Sequence, residues 1–234
     1  MLLQDAVELW VVGLNASPEK IESAFQLLSD DEQRRAGQFR FPVHRNRFVM
    51  SRANLRRILA GYLDIEPAAL AFAYSEFGKP SLAAPRTDIR FNASRSHDRA
   101  LIACTREREI GVDTEKIRED LDVDQLAQRF FSLEENNRLR AVPADMRHQA
   151  FLHFWTCKEA ILKAAGMGLS LDPVKIDVSV ALENPAAVQA AAYEQFIVNG
   201  WTLIPLRTTA VEGHLSAVVT KGIELNVSVR PWAG

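Results

Sequence analysis

The 234-residue chain is long enough for one large domain or two small ones, and its 47% hydrophobic and 25% charged residues are ordinary for a soluble globular protein. Its two cysteines, Cys104 and Cys157, are too few for a disulfide framework or a four-ligand zinc site, which favours a reducing, cytoplasmic setting. No apolar stretch approaches the roughly 20 residues that a membrane helix needs, and residues 1–14 carry Asp5 and Glu8 but no Lys or Arg, unlike a signal peptide.

The net charge of −2 conceals a basic segment. Residues 34–63 contain eight arginines and no acid, whereas the rest of the chain carries 20 Lys and Arg against 30 Asp and Glu. Such a local excess of positive charge indicates an anionic partner. The alternative is a helix face whose arginines are solvated or bridge to the acidic half, and the charge pattern alone leaves both explanations open.

In the first half of the chain, helices are predicted to open at Ser17-Pro18 and at Ser29, where Ser29 and Glu32 form a capping box. A long helix is predicted over residues 42–61, because its apolar residues recur at helical spacing. Strands are predicted at residues 7–14, 71–74, 89–94 and 101–104.

The second half repeats this order. After a strand at residues 110–114, helices are predicted near Asp122 and at Ser132, again with a capping box, and a long helix over 144–165 ends at Gly166. Further strands are predicted at residues 174–180, 196–205, 214–220 and 225–229. The repeated order predicts an α+β fold of two similar, pseudo-symmetric lobes, residues 1–107 and 108–234, each a small, mostly antiparallel sheet packed on a long helix.

Two short segments concentrate charged residues at regular spacing. In Gly111-Val112-Asp113-Thr114-Glu115, the two acids lie two apart and share one face of a strand. In Trp155-Thr156-Cys157-Lys158-Glu159-Ala160-Ile161-Leu162-Lys163, Glu159 and Lys163 lie four apart and share one face of a helix. Taken singly, each has an ordinary explanation as an exposed strand face or a surface ion pair. Together, three carboxylates and a lysine suit a hard cation held against a phosphorylated ligand.

Four further segments accompany these two, and the set follows one order along about residues 29 to 171. The six segments are Phe77-Gly78-Lys79-Pro80, Phe91-Asn92-Ala93-Ser94, Gly111 to Glu115, Arg129-Phe130-Phe131-Ser132-x-x-Glu135, Trp155-x-x-Lys158-Glu159-Ala160-x-x-Lys163 and Gly166-x-Gly168-Leu169-Ser170-Leu171. In this order and spacing they resemble the 4′-phosphopantetheinyl transferases of the larger, two-lobed class that activates surfactin synthetase and other peptide and polyketide synthases.

The resemblance implies transfer of the 4′-phosphopantetheine arm of coenzyme A to a serine hydroxyl of an apo acyl or peptidyl carrier protein, with release of adenosine 3′,5′-bisphosphate. It places the active site between the lobes and implies Mg²⁺, with Mn²⁺ as the alternative. The implied metal ligands are Asp113, Glu115 and Glu159. Asp113, Glu159 and Lys163 are the implied catalytic residues, with Glu159 as general base, directly or through a water.

The resemblance also assigns the nucleotide end of coenzyme A to the first lobe, and the metal site and catalytic helix to the second. Arginine suits a terminal phosphate because its planar guanidinium donates two parallel hydrogen bonds. We expect most of the other arginines of residues 34–63 to be solvated. The residues expected to bind coenzyme A are Arg35, Arg47, Lys79, Ser94, Arg95, Lys158 and Lys163. For Lys158, which lies about 100° from Glu159 around the helix, a contact between the lobes is the alternative.

One segment departs from the family pattern. Phe-Asn-x-Ser is usually followed by His-Ser-Gly, whereas this chain has Arg95-Ser96-His97. The histidine of the family contacts the coenzyme A phosphates, and we expect Arg95 to make the same contact with a permanent charge. In an extended strand His97 would face the same side as Arg95. The alternative is a rebuilt turn in which both residues are exposed.

Two other functions remain open at this stage. A nucleic-acid-binding module would use the arginine-rich helix but would leave the three carboxylates unexplained. A transferase-like scaffold that binds coenzyme A without activity is suggested by the change at Arg95. The transferase hypothesis predicts a monomer whose partners are coenzyme A and a carrier protein, with neither nucleic acid nor membrane, and it places carrier docking near residues 116–140.

Overall fold

The computed structural model describes residues 6–182, 195–206, 210–222 and 226–233. The predicted α+β class is confirmed, because the described residues form two four-stranded sheets, a two-stranded sheet and α-helices. The strands are β1 Ala6–Gly13, β2 Ala71–Tyr74, β3 Pro80–Ala84, β4 Ile89–Ser96, β5 Arg99–Arg106, β6 Ile110–Lys116, β7 Phe196–Val198, β8 Trp201–Leu206, β9 His214–Thr220 and β10 Asn226–Pro231. The helices are α1 Pro18–Phe25, α2 Asp30–Gly37, α3 Pro42–Leu63, α4 Val123–Phe130, α5 Leu133–Ala141 and α6 Arg147–Ala165.

The helices begin where the sequence supplies caps. Ser17 precedes the proline that opens α1, and both predicted capping boxes form at the starts of α2 and α5, at Ser29 and Ser132. At their other ends, α3 and α6 stop at residues in the left-handed region, Asp64 and Gly166. Local signals therefore set most helix boundaries.

The two larger sheets differ in how they are completed. The second has the order β6-β9-β8-β7 and is antiparallel throughout. The first has the order β10-β1-β5-β4, and its outer pair, β1 and β10, is parallel. A division after residue 107 would assign β10 to the second lobe, but this strand crosses back and pairs with β1.

Three apolar clusters hold the layers together. One cluster combines α3 with the first sheet, and its buried members include Leu55, Leu59 and Ile102. In another, α6 packs on the second sheet. A third cluster combines both sheets, with Leu101 of β5 and Val112 of β6 fully buried within it. The lobes thus share an apolar interface, since burial of these side chains on both sides favours their association.

Two strand predictions in the second half are wrong. Residues 174–180 form short 3₁₀ turns instead of a strand, because Asp172 caps the turn that Pro173 opens. Residues 196–205 form a hairpin of β7 and β8, since Asn199 and Gly200 both adopt positive φ, as a tight hairpin turn requires. Strand β3 was not predicted, and residue 225 of the last predicted strand lies outside the described residues. Within the described ranges, we find no helix with both the length and the apolarity to cross a bilayer.

Candidate functional site

Strand β6 and helix α6 lie in unusually close contact at Gly111. A Cβ atom at this position would come within 2.0 Å of the carbonyl oxygen of Ala160 and 2.4 Å of the amide nitrogen of Ala164. Only a residue without a side chain lets the helix backbone approach the strand this closely. The contact places Glu159 and Lys163 of the helix beside the two carboxylates of the strand.

Asp113 is buried, and its two carboxylate oxygens have different surroundings. Its Oδ1 accepts hydrogen bonds from Ser94 Oγ at 2.7 Å and from Lys163 Nζ at 2.6 Å, and the same ammonium also donates to Ser94 Oγ at 2.9 Å. Its Oδ2 is buried without a hydrogen-bond partner. A buried, unpaired carboxylate oxygen is costly unless something binds it. This oxygen therefore suits a cation, while Oδ1 is held by the two donors.

Glu115 and Glu159 are half-buried near Asp113. Burial raises the pKa of both side chains, and the negative charge of Asp113 raises each further. The positive charge of Lys163 lowers the pKa of both side chains, but by less than burial and Asp113 raise it. Three carboxylates with one neighbouring lysine leave excess negative charge, which a divalent cation would neutralise.

The donor chemistry of the three carboxylates suits a hard divalent cation. Mg²⁺ takes oxygen ligands and commonly only one or two protein carboxylates, with waters and substrate phosphates completing the octahedron. Within the described ranges, the structure shows no group of three or more His, Cys, Asp or Glu side chains already arranged to hold a metal. The free oxygen of Asp113 and the adjacent carboxylates fit an ion that is completed by other ligands.

Lys158 does not lie at this site, and its predicted contact with the phosphates of coenzyme A is a misassignment. It is completely buried, pairs with Glu135 at 2.7 Å, and donates to the carbonyl oxygens of Pro173 and Ile176. Adjacent residues of a helix point about 100° apart, so Lys158 faces the core while Glu159 faces the cleft. Its ammonium therefore joins α6 to α5 and to the segment after α6.

Two adjoining cavities form a cleft, of which the larger is lined by the first lobe alone and the smaller by both lobes. The larger, about 630 Å³, is lined by four arginines and two acids, Asp31 and Glu32, together with Ser94, Phe48 and Tyr74. The smaller, about 250 Å³, is lined by Lys79, Glu159 and Lys163. Both cavities include Gly78, Pro80 and Ala93 in their linings, so they adjoin at these residues. The four arginines are Arg34, Arg35, Arg52 and Arg95.

Arg95 lines the larger cavity, and its expected contact with the phosphates of coenzyme A stays a prediction. Its guanidinium lies 5.2 Å from the ring centre of Phe48 and 5.8 Å from that of Phe39. Burial, followed by the positive charges of Arg35 and Arg52, lowers the pKa of Arg95. Four arginines against two acids leave an excess of positive charge around this cavity, which favours an anion, and Arg35 and Arg95 both line it.

Lys79 links the two lobes. It lies in the turn between β2 and β3, and its ammonium donates to Glu109 at 2.6 Å and to the carbonyl oxygen of Ala164 at 2.8 Å. The turn thereby stays close to the C-terminal end of α6. Lys79 lines the smaller cavity, so its predicted contact with coenzyme A remains a prediction that the geometry allows.

Two other predicted residues lie away from these cavities. Arg47 is absent from the lining of both and donates to Asn15 at 3.4 Å. His97 does not continue β4, because it adopts a φ of 52° in the turn that follows. Arg47, Lys116 and Arg118 all lie near enough for their charges to lower the pKa of His97, after burial as the largest cause. The predicted contact of Arg47 with coenzyme A remains untested.

Two arginines of the basic segment are ion-paired and not solvated. Arg52 and Arg56 both contact Glu32, at 2.9 and 2.7 Å, and Arg56 is almost completely buried. The alternative that arginines bridge to acids therefore holds for this pair. Glu32 lies 20 and 24 residues before its partners, so no local spacing could have identified these contacts.

Sequence reasoning also missed Arg34 and Arg52 in the larger cavity, and Asn92 and Ser96 beside the carboxylates. For the last two a signal was present, because polar residues alternate at Asn92, Ser94 and Ser96 on one face of β4. Only Ser94 was assigned a role.

Comparisons with known proteins agree with this geometry. Residues 109–214 match the 4′-phosphopantetheinyl transferase superfamily, and residues 14–107 match the family described as 4′-phosphopantetheinyl transferase, N-terminal. The matched ranges meet between β5 and β6, so each family corresponds to one half of the chain.

Individual relatives support the same assignment. The 4′-phosphopantetheinyl transferase HetI of Nostoc sp. (strain PCC 7120 / SAG 25.82 / UTEX 2576) is 38% identical over 207 residues, covering 88% of this chain and 84% of the relative. A 4′-phosphopantetheinyl transferase of Bacillus subtilis is 31% identical over 68% of this chain and 71% of its own length. The 4′-phosphopantetheinyl transferase Sfp of Bacillus subtilis (strain 168) is 29% identical over 74% of this chain and 75% of its own length. The resemblance drawn from the motifs is thus confirmed, and the chain belongs to the 4′-phosphopantetheinyl transferase superfamily as an enzyme of its Sfp-like class.

Proposed function

We propose that this enzyme transfers the 4′-phosphopantetheine arm of coenzyme A to a serine hydroxyl of an apo acyl or peptidyl carrier protein, releases adenosine 3′,5′-bisphosphate, and depends on Mg²⁺. The observation that carries the proposal is the pair of adjoining cavities that form the cleft. Four arginines line one end of it, and Lys79, Lys163 and Glu159 line the other. This order of charges matches a ligand with a terminal phosphate at one end and a pyrophosphate at the other.

In this proposal each end of the cleft holds one part of coenzyme A. Arg35 and Arg95 bind the 3′-phosphate and its neighbouring phosphates through charge-assisted hydrogen bonds. The half-exposed ring of Tyr74 in the same cavity offers surface for the adenine. Lys79 and Lys163 hold the pyrophosphate, which leaves the β-phosphorus facing Glu159.

The transfer step follows from the residues beside the pyrophosphate. Glu159 accepts the proton of the carrier serine, whose oxygen forms a bond to the β-phosphorus while the bond from that phosphorus to the bridging oxygen breaks. Lys163 stabilises the charge that develops on the phosphate oxygens. Asp113 and the neighbouring carboxylates would hold Mg²⁺, which supplies further stabilisation of that charge.

Competing functions receive less support from the same residues. Arg52 and Arg56 are ion-paired with Glu32, so part of the basic charge that suggested nucleic acid is neutralised locally. The proposal keeps the expected cytoplasmic setting, which agrees with two buried, free cysteines. It also keeps an active monomer, since both lobes of one chain line the cleft.

The decisive experiment is the intact mass of an apo acyl carrier protein after incubation with this protein, coenzyme A and Mg²⁺. Wild type is expected to add one phosphopantetheine arm, and Asp113→Ala is expected to add none at matched times. Asp145→Ala is the control, because it removes an exposed carboxylate at the far end of α6. If acyl and peptidyl carriers both stay unmodified by the wild type while calorimetry shows coenzyme A binding, the inactive-scaffold alternative replaces the proposal.

A further inference from the structure

Strands β4 and β6 lie side by side at the cleft although they belong to different sheets. Each is the outer strand of its own sheet, and their contact joins the lobes. Asn92, Ser94 and Ser96 occupy alternate positions of β4, so they share one face of the strand. All three are at most 8% exposed. We call these three residues the polar row.

The polar row contacts β6 along most of its length. Asn92 Oδ1 accepts a hydrogen bond from the amide of Val112 at 3.0 Å, and Ser94 Oγ donates to Asp113. Ser96 Oγ accepts from the amide of Lys116 at 3.1 Å. Side chains of β4 thus accept hydrogen bonds from backbone amides of β6 that would pair with a neighbouring strand inside a sheet. These bonds fix the position of β6 relative to β4.

Ser96 makes a second bond that reaches a carboxylate. Its hydroxyl donates to Glu115 Oε2 at 2.8 Å. A hydroxyl has one proton, and because the amide of Lys116 can only donate, that proton is directed at Glu115. The imidazole of His214 lies 3.2 Å from the carbonyl oxygen of Ser96 and ties the same residue to β9. The orientation of Glu115 is therefore determined from the first lobe.

We propose that Ser96 is a positioning residue that holds Glu115 beside Asp113 for the divalent cation. The proposal rests on the proposed function and concerns the same site. One oxygen of Glu115 is fixed by Ser96, just as one oxygen of Asp113 is fixed by Ser94 and Lys163. Partners that orient metal-binding side chains in this way commonly change metal affinity by about 10- to 100-fold when removed.

The test measures Mn²⁺ binding by electron paramagnetic resonance in the presence of coenzyme A and without any carrier protein. Ser96→Ala is expected to weaken Mn²⁺ binding about tenfold. It is also expected to raise the Mg²⁺ concentration for half-maximal rate by a similar factor while the KM for coenzyme A changes less than about twofold. Ser216→Ala is the matched control, because its buried hydroxyl donates at 2.8 Å to Thr114, on the opposite face of β6.

A double-mutant cycle separates positioning through Glu115 from a general structural role. If Ser96 acts through Glu115, then Ser96→Ala has no further effect on Mn²⁺ affinity in the Glu115→Ala background. Independent, additive losses overturn the inference, as does an equal loss in Ser216→Ala or unchanged affinity in Ser96→Ala. A wild type that binds no Mn²⁺ overturns it too. Failure of carrier modification by a wild type whose Mn²⁺ binding depends on Ser96 would count against the proposed function alone.

Discussion

Replacing Gly111 by alanine tests whether the close contact of β6 with α6 sets the site geometry. The new Cβ would lie 2.0 Å from the carbonyl oxygen of Ala160, whereas ordinary contact begins at 3.4 Å, so the helix must retreat by about 1.4 Å. The obstructing atoms belong to the helix backbone and cannot rotate away. Overpacking of this kind costs about 1–3 kcal/mol or more, and a displacement near 1 Å costs about 100-fold in rate.

We expect Gly111→Ala to lower the unfolding temperature by about 2–12 °C, from about 2–4 °C per kcal/mol. In the carrier modification assay its kcat should fall about 100-fold, because Glu159 and Lys163 move with the helix. Gly61→Ala is the control, since a Cβ at that helix position meets nothing within 4 Å and alanine favours helix. Wild-type stability and kcat in Gly111→Ala would refute the argument, since it would mean that the strand and helix separate without consequence.

Four further predictions follow from the structure. Lys158→Met should destabilise the protein by about 3–5 kcal/mol, because it leaves the buried carboxylate of Glu135 unpaired. The KM of the folded enzyme for coenzyme A should not change, and a tenfold rise in this KM would indicate that Lys158 binds a phosphate after all. Arg95→Ala should raise that KM about tenfold, or about 1.4 kcal/mol, while Arg47→Ala changes it less than twofold; equal effects would contradict the assignment of the larger cavity. Burial lowers the pKa of His153 in the folded protein, so below the unfolded pKa near 6.5 the unfolded chain binds more protons than the folded one. The free energy of unfolding should therefore decrease as the pH falls, by at most about 1.4 kcal/mol per pH unit. Denaturant titrations of wild type and His153→Gln should differ in this pH dependence, and parallel curves would exclude His153 as its source. His97→Gly should stabilise the protein by about 1 kcal/mol, because a non-glycine residue in the left-handed region costs about 1–2 kcal/mol; thermal unfolding at an unchanged temperature would show that contacts of the imidazole offset this strain.

Local chemistry explains most of what the sequence predicted correctly. Capping serines and prolines mark the helix starts, and the central strand β5 is marked by a short, continuous buried run, as is typical of a strand covered on both faces. The strand predicted at residues 174–180 failed because Val174, Ile176 and Val178 alternate like a strand. The structure instead satisfies that backbone with side chains, among them Glu135, which accepts from the amide of Val178. Such long-range partners leave no trace in local periodicity.

The site was predictable where spacing determines direction and unpredictable where the tertiary fold does. Spacing alone placed Asp113 with Glu115, and Glu159 with Lys163, on common faces. The spacing of residues could not show that Lys158 forms a buried ion pair with Glu135, which lies 23 residues earlier in the chain. Nor could it show that hydroxyls of β4 hold carboxylates of β6, because that contact depends on how two sheets meet.

Strand β10 is synthesised last but belongs to the same sheet as β1, the first strand. It follows every other described element along the chain, yet it completes the sheet that contains β1. Trp232, just beyond it, packs against Trp10 and donates to Asn54 at 2.9 Å. Domains generally fold from the N-terminus during translation, but here the first sheet keeps an open edge until the ribosome has delivered residues 226–231. A chain terminated just before them would carry every carboxylate and lysine of the cleft, and it would also expose a strand edge that invites pairing with other chains.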